Sequence, residues 1–319
     1  MMIFDGHADL LYDVTKWRQA GEDRVFERRH LPRLQAGQIG GLGLSIWTTV
    51  EQDSIWSAHP DWDGWRRTEE MMARAREELA ECPWLALVRT AAEARKAQAE
   101  GKLFAFLSVE GMEPVSDRLE RLEQYAQWGV RMGMLTWNEE NLLACGAGGD
   151  PDKGLTALGR EAVRRMQRLN ILPDVSHTSD RSFWDIMDLA EGPVIASHSN
   201  CRTLCDVRRN LTDEQLRAIR DTGGVVGVNV SHDFVHKEPR QQTVAMLARH
   251  AAHMAEVMGP EHVACGFDFC EYFGPGYEGC EGMEDCGQAQ NFFFELERIG
   301  FSEAERQAIA SENLLRVLE

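Results

Sequence analysis

Eight short runs rich in Val, Ile, Leu and Phe, at 3–6, 40–46, 103–108, 130–135, 171–175, 194–197, 224–229 and 262–266, punctuate the sequence, and amphipathic segments of helical length separate most of them. This alternation constrains the fold more than any other feature. The runs show little polar alternation, which is the pattern of strands buried on both faces, and such strands belong to parallel sheets covered by helices. The intervening segments 63–81, 117–128, 156–170, 182–190, 213–222 and 241–258 keep an apolar stripe at helical period. Eight strands with interleaved helices predict an α/β fold of the (β/α)8, TIM-like barrel type, with residues 1–319 as a single domain. A doubly wound open sheet is the fallback.

Composition fits that reading and removes several classes of function. With 319 residues and 43% hydrophobic content the chain can bury a large core. Lys plus Arg number 34 against 52 for Asp plus Glu, a formal charge of −18 without a basic patch, so neither nucleic acid nor an anionic membrane is an expected partner. No apolar run approaches the roughly 20 residues that span a bilayer, and the start Met1-Met2-Ile3-Phe4-Asp5 lacks the charged and apolar regions of a signal peptide. A cytoplasmic protein is expected, its eight cysteines reduced because a core this size needs no disulfides, and with no Cys-x-x-Cys pair a structural zinc built from them is not expected. Residues 48–60 and 146–154 read as extended loops at the barrel mouth, and Gly40-Gly41-Leu42-Gly43 as tight strand packing rather than a dinucleotide fingerprint.

Residues able to bind metal fall on this count in a regular way. His7 and Asp9 follow the first strand, Glu110 the third, His177 the fifth, His198 the sixth and Asp268 the last. All sit at C-terminal strand ends, which in a barrel form one face, the face that carries active sites. Each has a plain alternative: Asp9 as a helix cap, Glu110 capping a turn, His198 bonding a backbone carbonyl. Convergence of all six is the more economical explanation. The set is too large for one catalytic zinc, which takes three protein ligands and a water. It suits two zinc ions per chain, with His7 and Asp9 on one, His177 and His198 on the other, and Glu110 bridging. Such a pair shares an ionised water. The chemistry expected is hydrolysis, in which a bridging hydroxide attacks a carbonyl and Asp268, not needed as a ligand, protonates the leaving amine.

Further motifs surround those residues. His7-Ala8-Asp9, Ser108-Val109-Glu110-Gly111, Gly154-Leu155-Thr156 with the segment 161–170 and Asp174-Val175-Ser176-His177, Ser197-His198-Ser199 with Arg208-Arg209-Asn210, Gly266-Phe267-Asp268-Phe269 and Glu312-Asn313-Leu314-Leu315-Arg316 run nearly end to end. Together they resemble the membrane dipeptidase (renal dipeptidase) family of binuclear zinc peptidases. The resemblance implies a barrel, two zinc ions and a small dipeptide, L-L or L-D, as substrate. It also implies that Arg209 holds a polar or carboxylate end of that substrate, which suits guanidinium geometry.

Three departures limit what carries over. Where some members place a histidine after strand four, this chain has Leu135-Thr136-Trp137-Asn138, so oxyanion stabilisation would rest on the metals or on Asn138, with Trp137 beside it. Cys270 replaces a second aspartate after strand eight. After strand seven comes Asn229-Val230-Ser231-His232, which makes His232 a candidate substrate contact; the pair His232 and His236 is not expected to bind metal. His30, His59, His250, His253 and His262 read as surface or packing residues, and so do Trp62, Trp65, Met71 and Met72. Trp47 and Trp56 are candidates for the pocket wall. The alternatives are an amidohydrolase-like hydrolase of another small amide, lactone or ester, and a non-catalytic binding descendant. A homodimer is compatible with the sequence.

Overall fold

The computed structural model describes residues 1–50 and 54–319, so part of the expected loop at 48–60 lies outside the described residues. Its strands are β1 (Ile3–Ala8), β2 (Ile39–Trp47), β3 (Leu85–Leu87), β4 (Leu103–Glu110), β5 (Val130–Met134), β6 (Leu172–Asp174), β7 (Val226–Val228) and β8 (Val263–Cys265). All pair in parallel, in the order β6-β5-β4-β2-β1-β8-β7, and helices connect them. The result is a mixed α/β architecture with a parallel sheet curled as a half-barrel. The expected run 194–197 is not a ladder strand. It makes single parallel bridges, Asp174 to Ile195 on one side and Ala196 to Val226 on the other.

The added strand, β3, pairs with the first three residues of β4, while β5 pairs with its end from Leu107 onward. Register sets the site. Along β2 and β4 the pairing runs from Gly41 opposite Phe104 to Trp47 opposite Glu110, so an indole and a carboxylate emerge side by side at the C-terminal edge. At the opposite edge, Phe4, Phe104, Phe106, Met132, Ile195, Val225 and Ala264 pack with Leu314, Leu315 and Val317 of the C-terminal segment. That cluster is wholly apolar, while the ligand-type residues lie at the C-terminal strand ends.

Helix starts follow local chemistry. Asp63, Thr156, Ser179 and Thr212 each accept from the backbone N–H three residues on, and Thr212 with Gln215 forms a full capping box. The helix at 64–81 buries Met71, Met72 and Ala75, and Trp65 stacks on Trp128 at 5.5 Å, both as packing. His250 is buried, accepts from the Cys201 N–H and donates to the Val235 carbonyl, also a packing role. All eight cysteines are free thiols. Among the described residues no helix is long and apolar enough to cross a membrane.

The glycine run in β2 is tight packing, as expected. A Cβ at Gly43 would overlap the carbonyl oxygen of Gly6 on β1, and one at Gly41 would enter the Phe104 ring. Backbone cannot yield as a flexible side chain does. Gly43→Ala should therefore lose about 1–3 kcal/mol of stability, read as a lower denaturation midpoint with an unchanged slope.

Candidate metal centre

His7 is the last residue but one of β1, its imidazole fully buried, and Asp9 follows at the N-cap of the helix Leu10–Gln19. The Asp9 side chain makes no capping bond, so its carboxylate is turned away from the helix. Glu110 is the last residue of β4, His177 and His198 follow β6 and the 194–197 run, and Asp268 follows β8. His177 and Asp268 both have left-handed backbones, with φ of 67° and 61°. For residues with a Cβ this costs about 1–2 kcal/mol each, and such strain persists where the surroundings impose it to aim a side chain.

The six side chains meet at one place. His7 Nε2 lies 3.5 Å from Asp9 Oδ2, 3.4 Å from Glu110 Oε2 and 3.8 Å from Asp268 Oδ1. The other Glu110 oxygen, Oε1, lies 2.8 Å from His177 Nε2 and 3.6 Å from His198 Nε2. Glu110 thus turns one oxygen to each half of the cluster. Two groups have their ligand atoms within 4.8 Å of one another: His7 with Glu110 and His198, and His7 with Asp9 and Asp268. The second group brings Asp268 closer to the ligand-type atoms than a purely proton-shuttling residue needs to be.

The donor set fits cations. Asn138 Oδ1 lies 2.9 Å from His177 Nδ1 and accepts its proton, which makes His177 Nε2 a lone pair. His198 Nδ1 is 2.8 Å from Ser197 Oγ, and the two Nε2 atoms are 2.9 Å apart. Burial holds both imidazoles well below the usual histidine range, hence neutral. With His198 Nδ1–H donated to Ser197 Oγ, both Nε2 atoms would be lone pairs free to take a cation. His7 Nδ1 and Nε2, Asp9 Oδ1 and Glu110 Oε2 are buried without a hydrogen-bond partner among the described residues. Burial also pushes the Glu110 and Asp268 carboxyls upward, a penalty that a bound dication would reverse.

Around the cluster lies a cavity of about 550 Å³ lined by Asp9, Glu110, His177 and Asp268 together with Trp47, Trp137, Asn138 and Cys270. Asn138 therefore supports His177 through Oδ1, leaving only its Nδ2 to face a substrate oxygen. Arg209 is buried, donates to the His198 carbonyl at 3.4 Å and lies 5.1 Å from the Phe234 ring. Burial lowers its pKa to about 10, so it stays charged at neutral pH. Asn229, not singled out from the sequence, donates to Asp268 Oδ2 at 3.0 Å and steadies that carboxylate. Cys270 Sγ stands 3.6 Å from Asp268 Oδ1.

Two expectations for the pocket are corrected. His232 does not line the cavity; it lies in the short helix His232–Val235, beside Asp233, and Ser231 and Phe234 face the cavity instead. Trp56 is buried behind Tyr12, with ring centroids 6.5 Å apart, and is core rather than wall. Tyr12, Lys16, Phe273 and Tyr277 line the cavity without having been singled out in the sequence.

A family model described as Membrane dipeptidase (Peptidase family M19) matches residues 1–319. An uncharacterized dipeptidase of Schizosaccharomyces pombe is 37% identical over 224 residues, covering 68% of this chain and 53% of that protein. The chain thus spans about half the length of the yeast relative. A Klebsiella pneumoniae protein described as uncharacterized, in the pqqA 5' region, is 32% identical over 244 residues, covering 74% of this chain and 88% of its own. Among solved structures, a metallo peptidase from Rhodobacter sphaeroides, liganded with a phosphinate mimic of the dipeptide L-Ala-D-Ala, matches with TM-score 0.88 at 25% identity and covers 100% of this chain and 98% of its own. A second, described as the dipeptidase AC, matches with TM-score 0.87 at 25% identity over the same shares.

Proposed function

The chain belongs to the membrane dipeptidase family, and from that premise we propose that it is a zinc-dependent dipeptidase hydrolysing the one peptide bond of a small dipeptide with a free carboxylate. The observation that carries this reading is the convergence of His7, Asp9, Glu110, His177, His198 and Asp268, with two neutral imidazole nitrogens 2.9 Å apart, at the base of one cavity. His7 and Asp9 would hold one zinc, His177 and His198 the other, and Glu110 both. When bound, the pair supplies an ionised bridging water as nucleophile and Lewis acidity at the scissile carbonyl.

The remaining work falls to the chain's own side chains. Asp268, held by Asn229, is placed to move a proton to the leaving amine. Arg209 offers a buried guanidinium to the substrate carboxylate. Asn138 and Ser197 fix the ring orientations of His177 and His198, as partners of ligating histidines do. We read the fold as a single closed (β/α)8 barrel, supported by the bridges that join the 194–197 run to β6 and β7.

The test is a panel of L-L and L-D dipeptides offered to metal-replete protein, to chelated protein and to chelated protein given zinc back. Cleavage that disappears on chelation and returns with zinc is expected, with two zinc ions per chain by elemental analysis. A protein that holds two zinc ions and cleaves lactones or N-acyl amino acids, but no dipeptide, would overturn the assignment.

A further inference from the structure

One side of the cavity is built almost wholly from aromatic rings in mutual contact. Trp137 lies 6.0 Å from the His177 ring and 5.7 Å from Trp47, by ring centroids. Trp47 lies 5.2 Å from Tyr12 and 6.1 Å from Phe273, which touches Tyr12 at 5.2 Å and Tyr277 at 5.6 Å. All five rings line the cavity. They come from the end of β2 and from the segments following β5, β1 and β8, strands that lie together with β4 in the order β5-β4-β2-β1-β8. Phe234, from the segment following β7, lines the cavity, and the Arg209 guanidinium, from the segment following the 194–197 run, lies 5.1 Å from its ring.

We propose that this wall is the pocket for the side chain of the substrate's N-terminal residue, and that it selects an aromatic side chain there. The inference rests on the dipeptidase reading and adds its substrate class. Trp47 is paired in register with Glu110, one strand away from the centre, so the wall begins beside the carbonyl to be cleaved. With Arg209 taking the C-terminal carboxylate, the residue against the wall is the N-terminal one.

Trp47 is 7% exposed, and its side chain lines the cavity. The space also matches: about 550 Å³ is far more than the two methyl groups of alanyl-alanine fill. Ring-on-ring contact at 4.5–7 Å favours an aromatic guest over an aliphatic one of equal area.

The experiment compares kcat/KM for zinc-loaded enzyme on dipeptides with alanine at the C-terminal position and Gly, Ala, Leu, Phe or Trp at the N-terminal one. Calorimetric Kd values are measured in parallel for phosphinate dipeptide mimics carrying benzyl or methyl in the N-terminal position. The expected result is a preference of roughly tenfold or more for Phe over Ala in both measurements, in keeping with what a shaped apolar pocket discriminates. Trp47→Ala and Phe273→Ala should each shrink that ratio several-fold, chiefly through KM. Trp47→Phe, which keeps an aromatic ring at this place, should keep the preference. A flat profile across the series, or a Phe preference undiminished in both alanine variants, overturns the pocket assignment while leaving the dipeptidase reading intact. Turnover and binding of no dipeptide at all removes that reading, and the pocket assignment with it.

Discussion

Glu110→Gln should reduce kcat/KM on the best dipeptide by at least about 10³-fold and lower the zinc content below two per chain. The geometry sets the expectation. Glu110 turns Oε2 to His7 at 3.4 Å and Oε1 to His177 at 2.8 Å, so among the described residues it is the one carboxylate in contact with both halves of the cluster. An amide keeps the shape but loses the charge, and its nitrogen donates where a ligand must accept. Charge balance makes the loss larger still. His177 and His198 are neutral, so the second half of the site has Glu110 as its anionic neighbour. Elemental analysis alongside single-substrate kinetics checks both parts. Full activity with full metal content would remove the bridging role. The variant should fold, because Glu110 Oε2 makes no hydrogen bond within the protein that the amide would break.

How much of this was legible in the sequence depended on how each element is stabilised. The long inner strands β1, β2 and β4 are buried along almost their full length, so their composition alone announces them. β3 escaped because it is short, pairs only the first residues of β4, and leaves Leu87 exposed. The run 194–197 was legible as apolar, but its pairing was not. β6 carries Pro173 at its centre, which has no N–H to donate, so that edge of the sheet is held by a few bonds, Ile195 N–H to the Pro173 carbonyl among them.

In the site, the ligand-type residues were legible because strand ends converge whatever the loops do. The groups that orient them were not. Asn138 reaches His177 only because the chain after β5 folds over the end of β6, which no local pattern encodes. His232 is a candidate from the sequence because it lies in the segment just after β7, near the site's edge of the sheet. There the chain enters a helical turn, and in a helix residues three apart share a face. Ser231 and Phe234 therefore take the inward positions. Tyr12 and Lys16 were hidden for a related reason. They lie one turn apart on the helix Leu10–Gln19, whose stripe reads as ordinary packing.

Asp268→Asn should cut kcat by about 10²–10⁴-fold, the range for losing a positioned general acid, while keeping two zinc ions per chain. Two observations pull on this residue from opposite sides. Its Oδ1 lies 3.8 Å from His7 Nε2, within the group formed with Asp9. Its Oδ2 is held by the Asn229 amide at 3.0 Å, and the carboxyl lines the cavity where substrate must enter. A ligand to a buried dication needs its charge. A proton carrier needs a pKa close enough to neutrality to hold and release a proton, and burial moves Asp268 upward from the ordinary aspartate range in that direction. Asparagine is nearly isosteric, so the substitution separates the two demands. If Asp268 acts in proton transfer, the loss falls on kcat with KM little changed, because the interaction is made only as the amine departs. The variant should then still bind a phosphinate dipeptide mimic with nearly the wild-type Kd. Zinc content falling to one per chain would instead place Asp268 among the ligands, and the proton for the amine would have to come from elsewhere in the cavity.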